Sequence, residues 1–236
     1  MRPRIALMSA LALVASAPAG CVRQVWSPPA GYVPLEGPAP IAPGEVRVGG
    51  ALGGGGVGIG ADLVGGAVRY RRGLEHVEVQ GEVAAAIVAE DSEAKTFPAI
   101  ISARAGMKGL LVPGFRHASW RLGAGLGGSA GGLFGALDGG FVIGFDNPWV
   151  VPWAEVGGGV SVPFTSEDVD ITKPDDDEAV VDHPVTTILG RVGLGVAVHI
   201  GPWATTSLGI AWVFLNDIHG IAEQVTQIGL SVDVPL

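Results

Sequence analysis

Five stretches of the sequence combine residue types and spacings that could do chemistry. Gly127-Gly128-Ser129-Ala130-Gly131 has the G-x-S-x-G spacing that exposes a serine nucleophile on a sharp turn, but that turn must lead from a strand into a helix. Here a second alternating segment follows, which favours a small-residue hairpin loop. Gly123-Ala124-Gly125-Leu126-Gly127-Gly128 has the G-x-G-x-x-G spacing of a phosphate-binding turn, yet it lacks a βαβ setting and reads as a row of strand glycines. His117 and Ser119 stand two apart, so on a strand they share a face, as a base and a hydroxyl would need to. Asp182-His183 is an adjacent acid and base. Between 165 and 184 lie eight acids and one lysine, Lys173, a net charge of −7. Such a run is by default a solvated loop; weak Ca²⁺ or Mg²⁺ binding is the alternative, without the spaced ligands and glycine of an EF-hand loop. The five histidines have no metal-ligand spacing. None of these amounts to a catalytic or metal centre, and no cofactor is implied.

The elements that would have to position these groups are set by an unusual composition. The chain has 236 residues, 48% hydrophobic and 16% charged, with 39 glycines, 17 prolines and one cysteine. No Gly-X-Y period accompanies the glycine, which excludes collagen, and the apolar content excludes a disordered chain. The longest apolar run, near the N-terminus, is only about a dozen residues against the roughly 20 of a spanning helix. One cysteine closes no internal disulfide. The apolar residues must therefore be interleaved with others.

Residues 1 to 20 read as a secretory signal: Arg2 and Arg4, an apolar Ile5 to Ala15, then small-residue cleavage patterns. Pro18-Ala19-Gly20-Cys21 resembles the lipobox of bacterial lipoproteins, which implies acylation of Cys21, although Pro18 stands where leucine is usual. An isolated thiol in an oxidising compartment favours that reading over simple cleavage. Residues 21 to 44, with six prolines, read as an extended linker.

From residue 45 the apolar residues recur at every second position, as a strand with two unlike faces requires. Val77, Val79, Val83, Ala85 and Ile87 oppose His76, Glu78, Gln80 and Glu82; Trp120, Leu122, Ala124 and Leu126 oppose Ser119, Arg121, Gly123 and Gly125. Turn signals divide the region into ten such segments, roughly 45 to 53, 59 to 71, 76 to 89, 98 to 112, 117 to 128, 134 to 145, 149 to 163, 185 to 200, 203 to 215 and 223 to 236. Connections alternate between tight turns and longer loops, and both termini fall on the tight-turn side. The expectation is an all-β, antiparallel, up-and-down transmembrane β-barrel of ten strands, with eight as the alternative.

The polar face holds Arg47, Arg69, Arg71, Arg104, Lys108, Arg121 and Arg191 together with Glu45, Glu78, Glu82, Asp138, Glu155 and Asp233. An arginine or lysine facing mid-membrane hydrocarbon costs roughly 2 to 4 kcal/mol, so these groups are expected to pair inside a narrow lumen with glycine neighbours. Aromatics are expected in two belts, Tyr70, Phe115, Trp120, Phe145, Trp149 and Trp203 by the tight turns and Phe97, Phe134, Phe164, Trp212 and Phe214 at the other end. Trp149 and Trp153 are out of phase, which predicts a bulge near Pro152 or an inward aromatic.

On this pattern, as in Gly66-Ala67-Val68-Arg69-Tyr70, a turn, then His76-Val77-Glu78-Val79, residues 45 to 236 resemble the small outer-membrane β-barrels of Gram-negative bacteria, the porin-like and OmpA-like group. The resemblance implies an outer-membrane location, contact with outer-membrane lipid and insertion by the barrel assembly machinery. The ending Val234-Pro235-Leu236 departs from the aromatic terminus usual in the group. It implies a structural, surface-interaction or narrow-pore role. Two enzymatic likenesses are weaker: lipid A deacylases use a His-x-Ser pair that faces lipid, whereas Ser119 shares the face of Arg121, and omptins have acid pairs and an Asp-His pair, for which Asp182-His183 is the only superficial match. A soluble lipid-binding barrel is the remaining alternative, against which stand polar faces made mostly of glycine, alanine and serine. Loops 90 to 97, 164 to 184 and 216 to 222 carry net charges of −2, −7 and −1, so the chain's formal −9 gathers at one rim, expected to face outward.

Overall fold

The computed structural model describes residues 37–57, 63–88, 99–129, 132–165, 169–170, 181–182, 185–217 and 222–236. Cys21, Phe97, His183 and most of the acidic segment lie outside these.

Ten strands form the barrel: β1 (Val46–Val57), β2 (Leu63–Gly73), β3 (Val77–Val88), β4 (Ala99–Leu110), β5 (Ala118–Ser129), β6 (Gly132–Gly144), β7 (Val150–Pro163), β10 (Thr187–Ile200), β11 (Ala204–Asp217) and β12 (Ala222–Pro235). Two short strands, β8 (Val169–Asp170) and β9 (Val181–Asp182), pair with each other within the acidic segment. That segment was expected to be loop throughout; a valine on each side supports a short ladder. Every barrel strand is antiparallel to its sequence neighbour, and β1 closes on β12 from Arg47↔Pro235 to Val57↔Val225. Even the last residue joins in, Leu236 donating its N–H to the Val46 carbonyl at 3.0 Å. Closure leaves no unpaired edge, and the count is ten, not eight.

The period-two pattern fixes which way each side chain points. Leu122, Leu126, Leu137, Leu208 and Leu230 stand outward and exposed, while Ser119, Arg121, Ala136, Ser207 and Ser231 point inward and are buried. An outer wall of large exposed apolar side chains around a polar interior inverts a soluble barrel and is the wall of a membrane-spanning one. Strands of 11 to 14 residues suffice for a tilted crossing.

Three expectations need correction. The connections do not divide cleanly by length: 111 to 117 joins β4 to β5 at the supposed tight-turn end, whereas only residues 130 and 131 separate β5 from β6 at the other. Pro113 lacks an N–H for the ladder and Gly114 turns at φ 80°, so β4 stops at Leu110, short of the expected 112. Gly132, at φ 113°, lets β6 begin directly after the turn. Phe134 belongs to no outer belt; it points into the lumen because Gly127 lies opposite and leaves room for its ring. Trp153 is the inward aromatic, with no bulge, since β7 pairs β10 without a break from Val150 to Ser161. Trp149, Phe115, Phe145 and Trp203 are exposed beside the 111–117, 145–149 and 201–203 connections, as a belt requires.

Candidate functional site

The inward faces of the strands bring the lumen charges into two groups. Nearer the 74–76 turn, Arg69 on β2 donates to both oxygens of Asp233 on β12, at 3.0 and 2.8 Å. Arg71 reaches Asp233 at 3.0 Å and takes Glu78 on β3 in two bonds of 2.6 and 2.8 Å. Lys108 on β4 lies 3.8 Å from Glu78. Glu82 stands in register with both Arg69 and Arg104. Deeper in the barrel, Arg104 holds Asp138 on β6 in two bonds of 2.7 and 2.6 Å. Arg121 on β5 and Arg191 on β10 both approach Glu155 on β7, at 3.1 and 2.7 Å. Arg47 pairs with Glu45 at the rim, at 2.6 Å.

These are charge-assisted contacts in a confined, low-dielectric space, where two-bonded arginine–carboxylate pairs are strong and a lost partner is costly. Glycine makes them possible. A Cβ on Gly123 would fall 2.1 Å from Arg104 and one on Gly49 1.9 Å from Asp233, so the long side chains lie flat over bare backbone. Of the network expected from sequence, Arg69, Arg71, Glu78, Glu82, Arg104, Lys108, Arg121, Asp138, Glu155, Arg191 and Asp233 lie on the lumen face, while Arg47 stays at the rim with Glu45.

The largest departure from expectation is the end of the linker. Residues 37–45 cross the barrel mouth before β1 begins. Pro38 is fully buried beside Gly144 of β6, Gly37 abuts Val151 of β7, and Ala42 lies over Gly73 of β2. Polar contacts pin the crossing: Ile41 donates its N–H to Glu78 at 2.9 Å, and Lys108 Nζ donates to the Gly37 carbonyl at 3.2 Å. Proline and glycine show no periodicity, so sequence reasoning ended the linker at 44. At the opposite end Leu189, Val213 and Leu215 pack together inside the wall, with Val225 against them.

Nothing in this arrangement activates a nucleophile among the groups singled out in the sequence. Ser129 ends β5 and pairs with Gly132 of another strand, so the nucleophile elbow has no helix. The glycine row 123 to 128 lies wholly within β5. His117 and Ser119 do not form a pair. The His117 ring sits in the turn between Phe115 and Phe145, its Nδ1 accepting the Asp146 N–H at 3.0 Å, while Ser119 is buried in the lumen. A contact not foreseen joins His199 Nδ1 to Thr205 Oγ1 at 2.9 Å, and Arg47 also donates to that hydroxyl. Among the described residues no three His, Cys, Asp or Glu side chains group as metal ligands.

No protein-family model and no curated protein matches the sequence. Among solved structures the chain is similar to the N-terminal β-barrel domain of Pseudomonas aeruginosa OprF, at 12% identity over 83% of this chain and 100% of that one, with a TM-score of 0.39. It is similar to LpxR from Salmonella typhimurium, at 10% identity over 78% and 99%, TM-score 0.42. The Yersinia pestis outer membrane protein Ail gives 12% identity over 82% and 99%, TM-score 0.35. The architecture rests on the strand register itself: a closed, ten-stranded antiparallel barrel with an apolar outer wall and a charge-paired lumen.

Proposed function

We propose that this chain is an outer-membrane β-barrel of a Gram-negative cell with a structural or surface-interaction role, no catalytic site, and a lumen closed to all but the smallest solutes. The observation that carries this is the covered mouth: residues 37–45 cross it, pinned to Glu78 and Lys108, and the lumen behind is crowded with paired charges. An open channel would leave that mouth clear, whereas here a segment of the chain bridges it from β6 and β7 to β2. The apolar outer wall supports immersion in lipid, and the barrel assembly machinery is the proposed route of insertion. An acyl chain on Cys21 would anchor the segment leading into that mouth, placing this end in the periplasm and the acidic segment outside. Weak divalent-cation binding there is compatible with its charge.

The test is ion-current recording in planar bilayers. We expect no large, stable conductance from the purified protein; steps of the size of an open porin would overturn the proposal. Heat-modifiable migration on a gel after detergent extraction is expected of the folded barrel, and its absence would count against membrane insertion.

A further inference from the structure

The outer wall is not evenly covered. A groove of about 660 Å³ lies in it around the closure of β1 on β12, lined by the outward side chains of Leu52, Val68, Val83, Ile101, Leu230 and Val232. That volume falls in the range of ligand pockets, roughly 300 to 1,000 Å³. The depression exists because two outward positions carry no side chain. Gly50 stands in register with Val232 and Val68, and Gly66 with Leu52 and Ala85. Large apolar residues thus surround a floor of bare backbone.

The groove has one charged neighbour. Among the described residues, Arg72 is the only arginine or lysine on the outward face of a barrel strand. It is exposed on β2, two residues past Tyr70 and four past Val68, and its side chain pairs with no described carboxylate. Its register partners, Val46 and Val79, are apolar. Gly81 stands beside Tyr70, and a Cβ there would meet nothing within 4 Å, so the wall stays low between the groove and Arg72. The spacing is that of one lipid leaflet. Val68 is the central residue of β2, and Arg72 lies about 13 Å further along the strand. Strand tilt makes this about 10 Å along the membrane normal, and the reach of the guanidinium toward the interface supplies the rest of the roughly 15 Å of half a hydrocarbon core. A guanidinium without a carboxylate at that depth attracts a lipid phosphate.

We propose that this groove holds one acyl chain of an anionic glycerophospholipid whose phosphate is bound by Arg72. The chain lies over Gly50 and Gly66, and the headgroup stands at the level of the 74–76 turn. The inference rests on the outer wall facing lipid and adds to that reading a single specific lipid site.

The experiment uses the full-length protein in detergent micelles, with phosphatidylglycerol or phosphatidylethanolamine added in steps and bound lipids counted by native mass spectrometry. Heat-modifiable migration of each sample reports the folded barrel, so a failure of the membrane reading registers apart from a failure of the lipid site. One phosphatidylglycerol is expected to bind the unaltered protein ahead of any others. Phosphatidylethanolamine is expected to bind more weakly, because its ammonium offsets the phosphate. Arg72→Gln is expected to weaken the first phosphatidylglycerol about fivefold. Gly50→Leu, whose Cβ would meet nothing closer than 3.8 Å, fills the groove and is expected to weaken it about tenfold, the contact of roughly two CH₂ groups. Gly190→Leu, outward on β10 with nothing closer than 4.0 Å to its Cβ, is the control and is expected to leave binding unchanged. No preferred first lipid in the folded, unaltered protein overturns the proposal, as do equal affinities for the two lipids, an unchanged affinity in Arg72→Gln, or an equal loss in Gly190→Leu. Should Gly50→Leu fail to fold, Arg72→Gln decides.

Discussion

The Glu78 carboxylate, fully buried on β3, accepts the backbone N–H of Ile41 at 2.9 Å, tying the barrel wall to a residue 37 positions earlier in the chain. The same carboxylate holds Arg71 in two bonds and lies 3.8 Å from Lys108. One acid therefore fixes the crossing segment and compensates two buried cations. Glu78→Gln leaves an acceptor for Ile41 but strands the cations. Breaking a buried pair in this way costs about 3 to 5 kcal/mol. Equilibrium urea unfolding in detergent micelles is expected to show that loss, together with faster proteolysis within residues 37–45.

Deleting residues 37–44 should open the mouth. The segment crosses from β6 and β7 to β2 as one piece, with Pro38 against Gly144 and Ala42 over Gly73. Its removal leaves Lys108 without the Gly37 carbonyl, although Glu78 still compensates its charge. The barrel is expected to fold and to pass more current in planar bilayers than the unaltered chain. An unchanged current would place the barrier further in, at the deeper ion pairs.

Trp153 separates packing from hydrogen bonding. Its ring is buried with Val142, Val151 and Ala197, and it lies over Gly195, where a Cβ would come 2.4 Å from the indole. Its Nε1–H has no partner. Trp153→Ala is expected to cost about 3 to 5 kcal/mol. Trp153→Phe keeps most of the contact and removes an unsatisfied donor whose burial costs about 1 to 3 kcal/mol, so it should be close to neutral. Urea midpoints of the two variants, set beside the unaltered protein, check this.

The barrel was legible in the sequence because each strand announces itself: Leu122, Ala124 and Leu126 against Arg121, Gly123 and Gly125 leave one face for lipid and one for the interior. The same alternation placed every lumen charge on the correct face. What it could not supply was the choice of partner. Arg69 and Asp233 are 164 residues apart and meet only because β1 closes on β12. Arg121 and Arg191 converge on Glu155 because two glycines stand between them along the register, which needs the strand order and offset. Phe134 was misplaced for a related reason: an aromatic near a strand end reads as a belt residue until Gly127 is known to lie opposite. The crossing segment was missed because Pro38, Pro40 and Pro43 form no ladder and show no period, so burial there leaves no trace in a pattern.

The outer wall gives the most direct test of its solvent. Leu122 stands outward near the middle of the barrel, in register with Met107 and Gly139, and is more than half exposed. In water, a polar replacement at such a position changes stability by no more than about 0.5 kcal/mol. In a bilayer, Leu122→Arg would put a guanidinium into hydrocarbon, at roughly 2 to 4 kcal/mol near the midplane and far less toward an interface. Gln224 is also outward and exposed, but it lies at the end of β12 beside the 218–221 connection. Gln224→Arg is therefore expected to be nearly silent. Unfolding measured in lipid vesicles should separate the two variants by about 2 kcal/mol or more. Equal, small effects at both positions would mean that the apolar wall does not face lipid.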